Sequence, residues 1–443
     1  MKALELSAAI QAKEMGVAEA VTKYIEAIEK SQSNNFLAVS KAQALAQAKK
    51  VQAQIDAGDV PSPLAGIPVA VKDNISTKGI ETTCASKMLK GYVPVFNATV
   101  IDKLEQAGMI VVGKLNMDEF SMGSASNGNA AAAAVAVGEV PLAIASDTGG
   151  GIRQSCAFYG ATGIKPTYGS VSRHGLIAYA SSMDQIGPIG GSIDDCAAML
   201  SVISGPDHMD STCAIEKPFT FEKNNAQRLD GLRIGIPHNC CGSCGSDITS
   251  ASSAVKELKD AGAEIEVFEM PLLEHIIPTY HIIACAEASS NLSRYDGLKY
   301  GYRSPNAETL ADVYRLSRAE GFGMEVKRRI MFGSLVLSSG FYNDYYKKAL
   351  QVRTLIKKAY SSLFEKYDMI ISPVAPDKLE AITVSANLAG LPAVALPCGC
   401  DSQGLPMGFQ LIGAAFTEEK LIKAARAYQN LTQHHLQKPG GAV

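Results

Sequence analysis

A glycine-rich loop is the first segment of this chain whose residue types suggest chemistry. It reads Ser146-Asp-Thr-Gly-Gly-Gly151-Ile-Arg-Gln154 and follows an apolar run. Three consecutive glycines after a strand can indicate phosphate binding, but a phosphate loop continues with Gly-Lys-Ser/Thr. The residues after Gly151 do not supply that sequence, so we exclude nucleotide binding at this loop.

A lysine is the second candidate. Lys72 directly follows the apolar run Val69-Ala-Val71, which indicates that its side chain is at least partly buried. Burial disfavours the charged amine and lowers its pKa towards that of a usable general base. An ordinary solvated lysine is the alternative interpretation.

Cysteines are the third candidate, because the chain has ten of them. Most occur singly, as buried thiols of a reducing compartment do. The exception is the segment from His238 to Cys244, where Cys241 and Cys244 have the spacing of metal ligands. A structural zinc site needs a second pair, which Cys398 and Cys400 would supply only by a coincidence of folding. We therefore predict free thiols and no metal site.

Strands and helices must position these residues. Residues 1–60 show helical spacing of apolar residues and are predicted to form an N-terminal helical arm, which ends at Pro61. From there to residue 443, short apolar runs alternate with helical segments. This alternation predicts one α/β domain with a mixed, mostly parallel central sheet covered by helices on both faces.

Composition excludes several classes of protein. The net charge of −3 gives no field that would gather nucleic acid or anionic membrane, and 47% hydrophobic residues suffice for a large core. The first residues lack the features of a signal peptide, and the apolar run 130–137 is too short to cross a bilayer. We therefore expect a cytoplasmic protein without membrane association.

Several ordered motifs resemble those of the amidase signature family. The glycine loop matches that family's nucleophile loop, Gly66 to Asn74 matches its lysine segment, and three further motifs follow in the family's order. These are 113–120, 163–169 and 182–188, and residues 387–392 extend the match. Within this family the chain is similar to the A subunits of glutamyl-tRNA(Gln) and aspartyl-tRNA(Asn) amidotransferases, through 287–291, 294–297, 320–323 and 326–330.

The resemblance assigns roles to the catalytic residues. It implies that Lys72 is the retained base and that the turn Thr148, Gly149 and Gly150 stabilises an oxyanion through backbone N–H groups. The family's nucleophilic serine corresponds to Gly151, which has no side chain. The family's second serine lies in a cis peptide bond, within a segment that is missing here between residues 121–129 and Ala130.

No other residue is expected to replace the two serines. Ser124 and Ser126 lie near the missing segment but have no evident means of enforcing a cis bond, which costs about 2.5–4 kcal/mol. Ser155 lies one helical turn after Gly151, and Cys156 has no predicted base beside it. We therefore predict that the chain lacks amidase activity of its own.

The resemblance also implies a glutamine site. Tyr280 and Arg329 match positions that line it, and Arg329 would hold the substrate carboxylate. Glu380 falls where the A subunits have an aspartate that holds the amino group, on a shortened loop. Lys327 and Arg328 are interpreted as a solvated helix face.

Partners and cofactors follow from the same resemblance. The implied partners are a B subunit and a small C subunit, with glutamine as the small-molecule ligand. ATP, Mg²⁺ and tRNA would belong to the B subunit, so no cofactor is expected on this chain. Two alternatives stay open, a non-catalytic scaffold or binding protein with the same fold and an engineered or trimmed A subunit.

Overall fold

The protein is described from a computed structural model that covers residues 1–123, 130–222, 228–241, 249–374 and 380–437. Its strands form one eleven-stranded sheet within these residues. The strands are β1 (Phe36–Val39), β2 (Pro68–Lys72), β3 (Ile110–Leu115), β4 (Leu142–Asp147), β5 (Thr162–Lys165), β6 (Gln185–Gly190), β7 (Arg233–Pro237), β8 (Glu264–Phe268), β9 (Met369–Pro373), β10 (Ala393–Cys400) and β11 (Pro406–Gly413).

The α-helices of the described residues lie before β1, after β11 and in most of the connections between strands. They are α1 (Ala3–Gln11), α2 (Val17–Lys30), α3 (Lys41–Asp56), α4 (Thr99–Gln106), α5 (Ala130–Ala136), α6 (Gly151–Tyr159), α7 (Ile193–Ile203), α8 (Thr249–Asp260), α9 (Leu273–Asn291), α10 (Leu310–Gly321), α11 (Met324–Leu337), α12 (Lys347–Lys366), α13 (Glu380–Ala389) and α14 (Glu418–Thr432). No helix within these residues combines the length and the apolar character that crossing a membrane requires.

The sheet is mixed, with the order β1-β3-β2-β4-β6-β5-β10-β11-β9-β7-β8. The prediction of an α/β fold with a mixed sheet is confirmed, but the prediction that the sheet is mostly parallel was wrong. Among the pairings of the described strands, six are antiparallel and four are parallel. The connection from β10 to β11 shows the reason, because it contains no helix, and a short connection joins antiparallel strands.

The first sixty residues contain a strand that the sequence analysis missed. Helices α1, α2 and α3 agree with the predicted helical arm, but β1 lies between α2 and α3 and pairs with β3. Its four residues are too few to outweigh the helical spacing on either side. The boundary at residue 60 stays a prediction.

Helices cover both faces of the sheet. Met369 and Ile371 of β9 belong to one buried apolar cluster, whereas Ile370 between them belongs to another. Successive side chains of a strand point to opposite faces, so the two clusters lie on opposite sides. The first cluster includes residues of α2, α3, α7 and α14, and the second includes residues of α9, α12 and α13.

Candidate active site

A polar cavity of about 80 Å³ lies where β2 and β4 end. The two strands are parallel neighbours, so their carboxyl ends reach the same edge of the sheet. Residues from the strand ends, the glycine loop, the segment that follows β3 and helices α9 and α13 surround the cavity. They are Lys72, Asp118, Ser121, Gly123, Ser146, Thr148, Gly149, Gly151, Gln154, Tyr280 and Glu380.

Lys72 is buried at the end of β2, with 4% of its surface exposed. Its amine lies 3.1 Å from Ser146 Oγ and 3.3 Å from the Ser146 carbonyl oxygen. Burial lowers the pKa of Lys72 to about 8, although Asp147 and Asp118 act in the opposite direction. The amine is therefore still mostly protonated near pH 7, but a much larger fraction is neutral than in an ordinary lysine, and the neutral form can act as a general base.

Asp147 and Arg153 fix the glycine loop. Asp147 Oδ1 accepts the N–H of Gly150 at 2.8 Å, and Oδ2 accepts the N–H of Ile152 at 3.2 Å. The fully buried Arg153 donates to both Asp147 oxygens at 3.1 Å. Burial alone would raise the pKa of Asp147, but the charge and hydrogen bonds of Arg153 hold it well below its usual range. The loop is thus held by a charge pair that stays ionised.

Gly149 allows the loop to approach a neighbouring aromatic side chain. An ideal Cβ at this position would lie 2.3 Å from the Tyr280 hydroxyl oxygen, too close for any side chain. Thr148 points its hydroxyl towards Asp184, to which it donates at 2.6 Å. Because the Gly150 N–H already donates to Asp147, the assignment of Thr148, Gly149 and Gly150 as an oxyanion turn stays a prediction.

Gly151 begins α6 and lines the cavity, so the position that is predicted to have lost the nucleophile faces the site. The neighbouring candidates are turned elsewhere. Ser155 donates its hydroxyl to the carbonyl oxygens of Gly151 at 2.7 Å and Ile152 at 2.9 Å. Cys156 is buried, and burial raises the pKa of its thiol well above the usual value. Neither side chain has the surroundings of an activated nucleophile.

Of the three predicted glutamine-binding residues, two line the cavity and one does not. Tyr280 and Glu380 line the cavity with Lys72. Arg329 lies over the ring of Tyr179, and its Nη1 donates to the Tyr179 hydroxyl while its Nε donates to Glu325 at 2.7 Å. Arg329 contributes instead to a separate cavity of about 310 Å³. A direct bond from Arg329 to a substrate carboxylate would have to compete with Glu325.

The site also contains three residues that the sequence analysis did not single out, which are Asn74, Asp118 and Ser146. Asn74 donates to Ser146 Oγ at 2.9 Å and to Ser121 Oγ at 3.3 Å. Asp118 lines the cavity, and burial raises the pKa of its carboxyl although Lys72 lowers it. Asn74 and Ser146 stand inside motifs that match the family, but only their contacts reveal that Ser146 meets Lys72 and that Asn74 bonds to Ser146.

Some of the predicted residues lie outside the described part of the chain. These are Ser124, Ser126 and Cys244, so their places relative to the site stay untested. Within the described ranges, no group of three or more His, Cys, Asp or Glu side chains is arranged to hold a metal ion.

Comparisons with known proteins agree with this geometry. The family model described as Amidase matches residues 19–131 and 125–422. The A subunit of the glutamyl-tRNA(Gln) amidotransferase of Agathobacter rectalis is 47% identical, with 97% of this chain and 93% of that protein covered. That alignment spans 469 positions, more than the 443 residues of this chain, so the relative has segments that this chain lacks. The two family matches meet at residues 125–131, beside the segment predicted to be missing.

Solved structures share the fold. The A subunit of the Thermotoga maritima glutamyl-tRNA(Gln) amidotransferase superposes with a TM-score of 0.77 at 32% identity, covering 96% of this chain and 95% of that one. The peptide amidase of Stenotrophomonas maltophilia gives a TM-score of 0.84 at 26% identity, covering 100% and 99%. Both similarities extend over the whole sheet and not over one motif.

Proposed function

Because the chain belongs to the amidase family, we propose that it serves as the A subunit of a tRNA-dependent amidotransferase and binds glutamine beside Lys72. One observation carries the proposal: the cavity brings the buried lysine, the glycine loop, Tyr280 and Glu380 together. The cavity has room for about five to eight water molecules, which is enough space for a side-chain amide group. The near-full-length similarity to amidotransferase A subunits supports the same function.

The family's route of glutamine hydrolysis is closed in this chain. Attack on the amide carbon requires a nucleophile, and position 151 supplies only backbone. Loss of the catalytic serine of a hydrolase lowers turnover by about 10⁶-fold, and oxyanion stabilisation and binding alone leave roughly 10³-fold over water. We therefore expect the chain to bind glutamine without releasing ammonia at the family's rate.

The proposed partners follow the same assignment. A B subunit would bind tRNA, ATP and Mg²⁺, and a small C subunit would join the two larger ones. In this arrangement the chain contributes its fold and its glutamine cavity, whereas chemistry on the tRNA takes place on the partner. The second candidate function is a scaffold that no longer binds glutamine but still assembles with the B and C subunits. The glycine at position 151 favours it.

Co-purification and calorimetry together test the proposal. The full chain would be co-expressed with B and C subunits, and glutamine binding would be measured by titration calorimetry on the complex. Binding that weakens in Glu380→Gln supports the A-subunit function, because the carboxylate is expected to hold the amino group. A complex that assembles but binds no glutamine indicates the scaffold instead, and failure to assemble contradicts both. The matched control is Glu274→Gln, whose exposed carboxylate lies outside the cavity lining.

A further inference from the structure

Ser146 is a second hydroxyl in the cavity, and its surroundings differ from those of an ordinary core serine. It lies near the end of β4, only 2% of its surface is exposed, and it lines the cavity. Its oxygen lies 3.1 Å from the Lys72 amine and 2.9 Å from the Asn74 amide nitrogen. Among the described residues, Lys72 contacts this serine and not Ser121, the other serine of the lining.

The proton positions suit a nucleophile. Asn74 donates an N–H to Ser146 Oγ and occupies one lone pair of that oxygen. When the Lys72 amine is neutral it has a lone pair of its own, so the serine hydroxyl can donate its proton to that amine. The second lone pair of Oγ then remains for attack on an electrophile in the cavity. Asn74 stabilises the charge that develops on Oγ.

We propose that Ser146 is a nucleophile for small activated esters, with the neutral amine of Lys72 as its general base. This activity goes beyond the proposed function, because it requires neither glutamine nor a partner subunit. Esters with a good leaving group are the appropriate class, since a primary amide has a much poorer leaving group. The cavity of about 80 Å³ restricts the acyl part to a small group such as acetyl.

The proposed reaction needs only Ser146, Lys72 and water besides the ester. Ser146 Oγ bonds to the acyl carbon while its proton passes to Lys72, and the carbonyl oxygen takes the negative charge. Collapse of this intermediate breaks the bond to the leaving group, which takes the proton back from Lys72, or departs as the phenolate while Lys72 passes its proton to bulk water. A water molecule then attacks the acyl carbon while the neutral Lys72 amine accepts its proton. The bond between the acyl carbon and Ser146 Oγ breaks, Oγ takes that proton from Lys72, and the carboxylic acid and the free serine are released.

Incubation of the full chain with p-nitrophenyl acetate tests the proposal. A burst of p-nitrophenolate is expected, together with one acetyl group that peptide mass spectrometry places on Ser146. Acetylation should speed up with pH, reach half of its maximal rate near pH 8 and level off about one pH unit higher, where most of the Lys72 amine is neutral. Ser146→Ala should abolish both signals, and Lys72→Met should slow the burst by about 100-fold or more.

The matched control is Ser155→Ala, which removes a buried serine whose hydroxyl bonds only to its own helix among the described contacts. This variant should be acetylated as fast as the parent chain. Acetyl found on Ser121 or on a lysine, or a burst that persists in Ser146→Ala, overturns the proposal. If Ser146→Ala does not melt cooperatively, the acetylated peptide of the parent chain decides alone. Glutamine binding is measured separately, so failure here leaves the A-subunit proposal standing.

Discussion

Two lysines on neighbouring strands are buried to a similar extent but have different surroundings. Lys72 on β2 is 4% exposed and Lys114 on β3 is 0% exposed, and burial lowers the pKa of each to about 8. Lys114 pairs in register with Val71, the residue before Lys72, so the two side chains point to opposite faces of the sheet.

Their partners separate a structural lysine from a reactive one. Lys114 donates to the Thr82 hydroxyl at 2.7 Å and to the Ile75 carbonyl at 2.6 Å, and lies 3.6 Å from an Asp73 carboxylate oxygen. Lys72 instead faces Ser146 and the cavity. A lowered pKa therefore does not identify a general base by itself. The group must also reach a cavity and a proton that it can accept.

The largest expected effect is a loss of stability in Lys114→Met. Removing one partner of a buried charge pair leaves Asp73 uncompensated, which costs about 3–5 kcal/mol. Urea unfolding at pH 7 measures this cost. The double variant Lys114→Met with Asp73→Asn should recover part of it, because the remaining buried charge is then also removed. A loss of less than about 1 kcal/mol in the free energy of unfolding of the single variant would show that Lys114 has no important role in stability.

Lys72→Met, unlike Lys114→Met, is not expected to destabilise the protein. Among the described contacts, its amine meets a hydroxyl and a carbonyl of Ser146 but no carboxylate, so the free energy of unfolding should be unchanged or raised. The same variant should lose acetylation of Ser146. Destabilisation as large as that of Lys114→Met would remove the distinction between the two lysines.

A third prediction concerns pH. The pKa of Lys72 is about 8 in the folded chain and 10.5 in the unfolded reference, so between these values the unfolded chain binds more protons. Stability due to this group therefore rises with pH over that window, by at most about 1.36 kcal/mol for each pH unit. The advantage of Lys72→Met over the parent should be largest below pH 8 and vanish near pH 10.5. Urea midpoints measured in parallel at several pH values would show a constant difference if Lys72 had an ordinary pKa.

The smallest effect is expected from Gly151→Ser. A serine at the start of α6 would face the cavity, but the family's second serine is still absent, so rapid ammonia release from glutamine should not return. A coupled ammonia assay on the complex with the B subunit checks this. Release at a rate typical of enzymes, on the order of 10 s⁻¹, would show that Lys72 can serve a nucleophile at position 151 without a mediating serine.

Much of the site was predictable from the sequence, because positions matched to the family meet at the cavity from strand ends, the glycine loop and helices α9 and α13. Lys72, Thr148, Gly149, Tyr280 and Glu380 were all expected, and all line one cavity. The prediction for Arg329 stays open, because Glu325 and Tyr179 already bind its guanidinium. Sequence spacing cannot show such competition, since Tyr179 is 150 residues away along the chain.

The sequence alone determined the α/β class, the family and the missing side chain at position 151. These depend on apolar periodicity and on local motifs, which a linear pattern carries. Only the tertiary structure decided that the sheet is mostly antiparallel in its pairings, that β1 joins it, and that Ser146 meets Lys72. Strand direction and side-chain contact depend on how segments far apart in the chain pack together. A hydroxyl and an amine separated by 74 residues become a reactive pair only when two parallel strands end at the same edge.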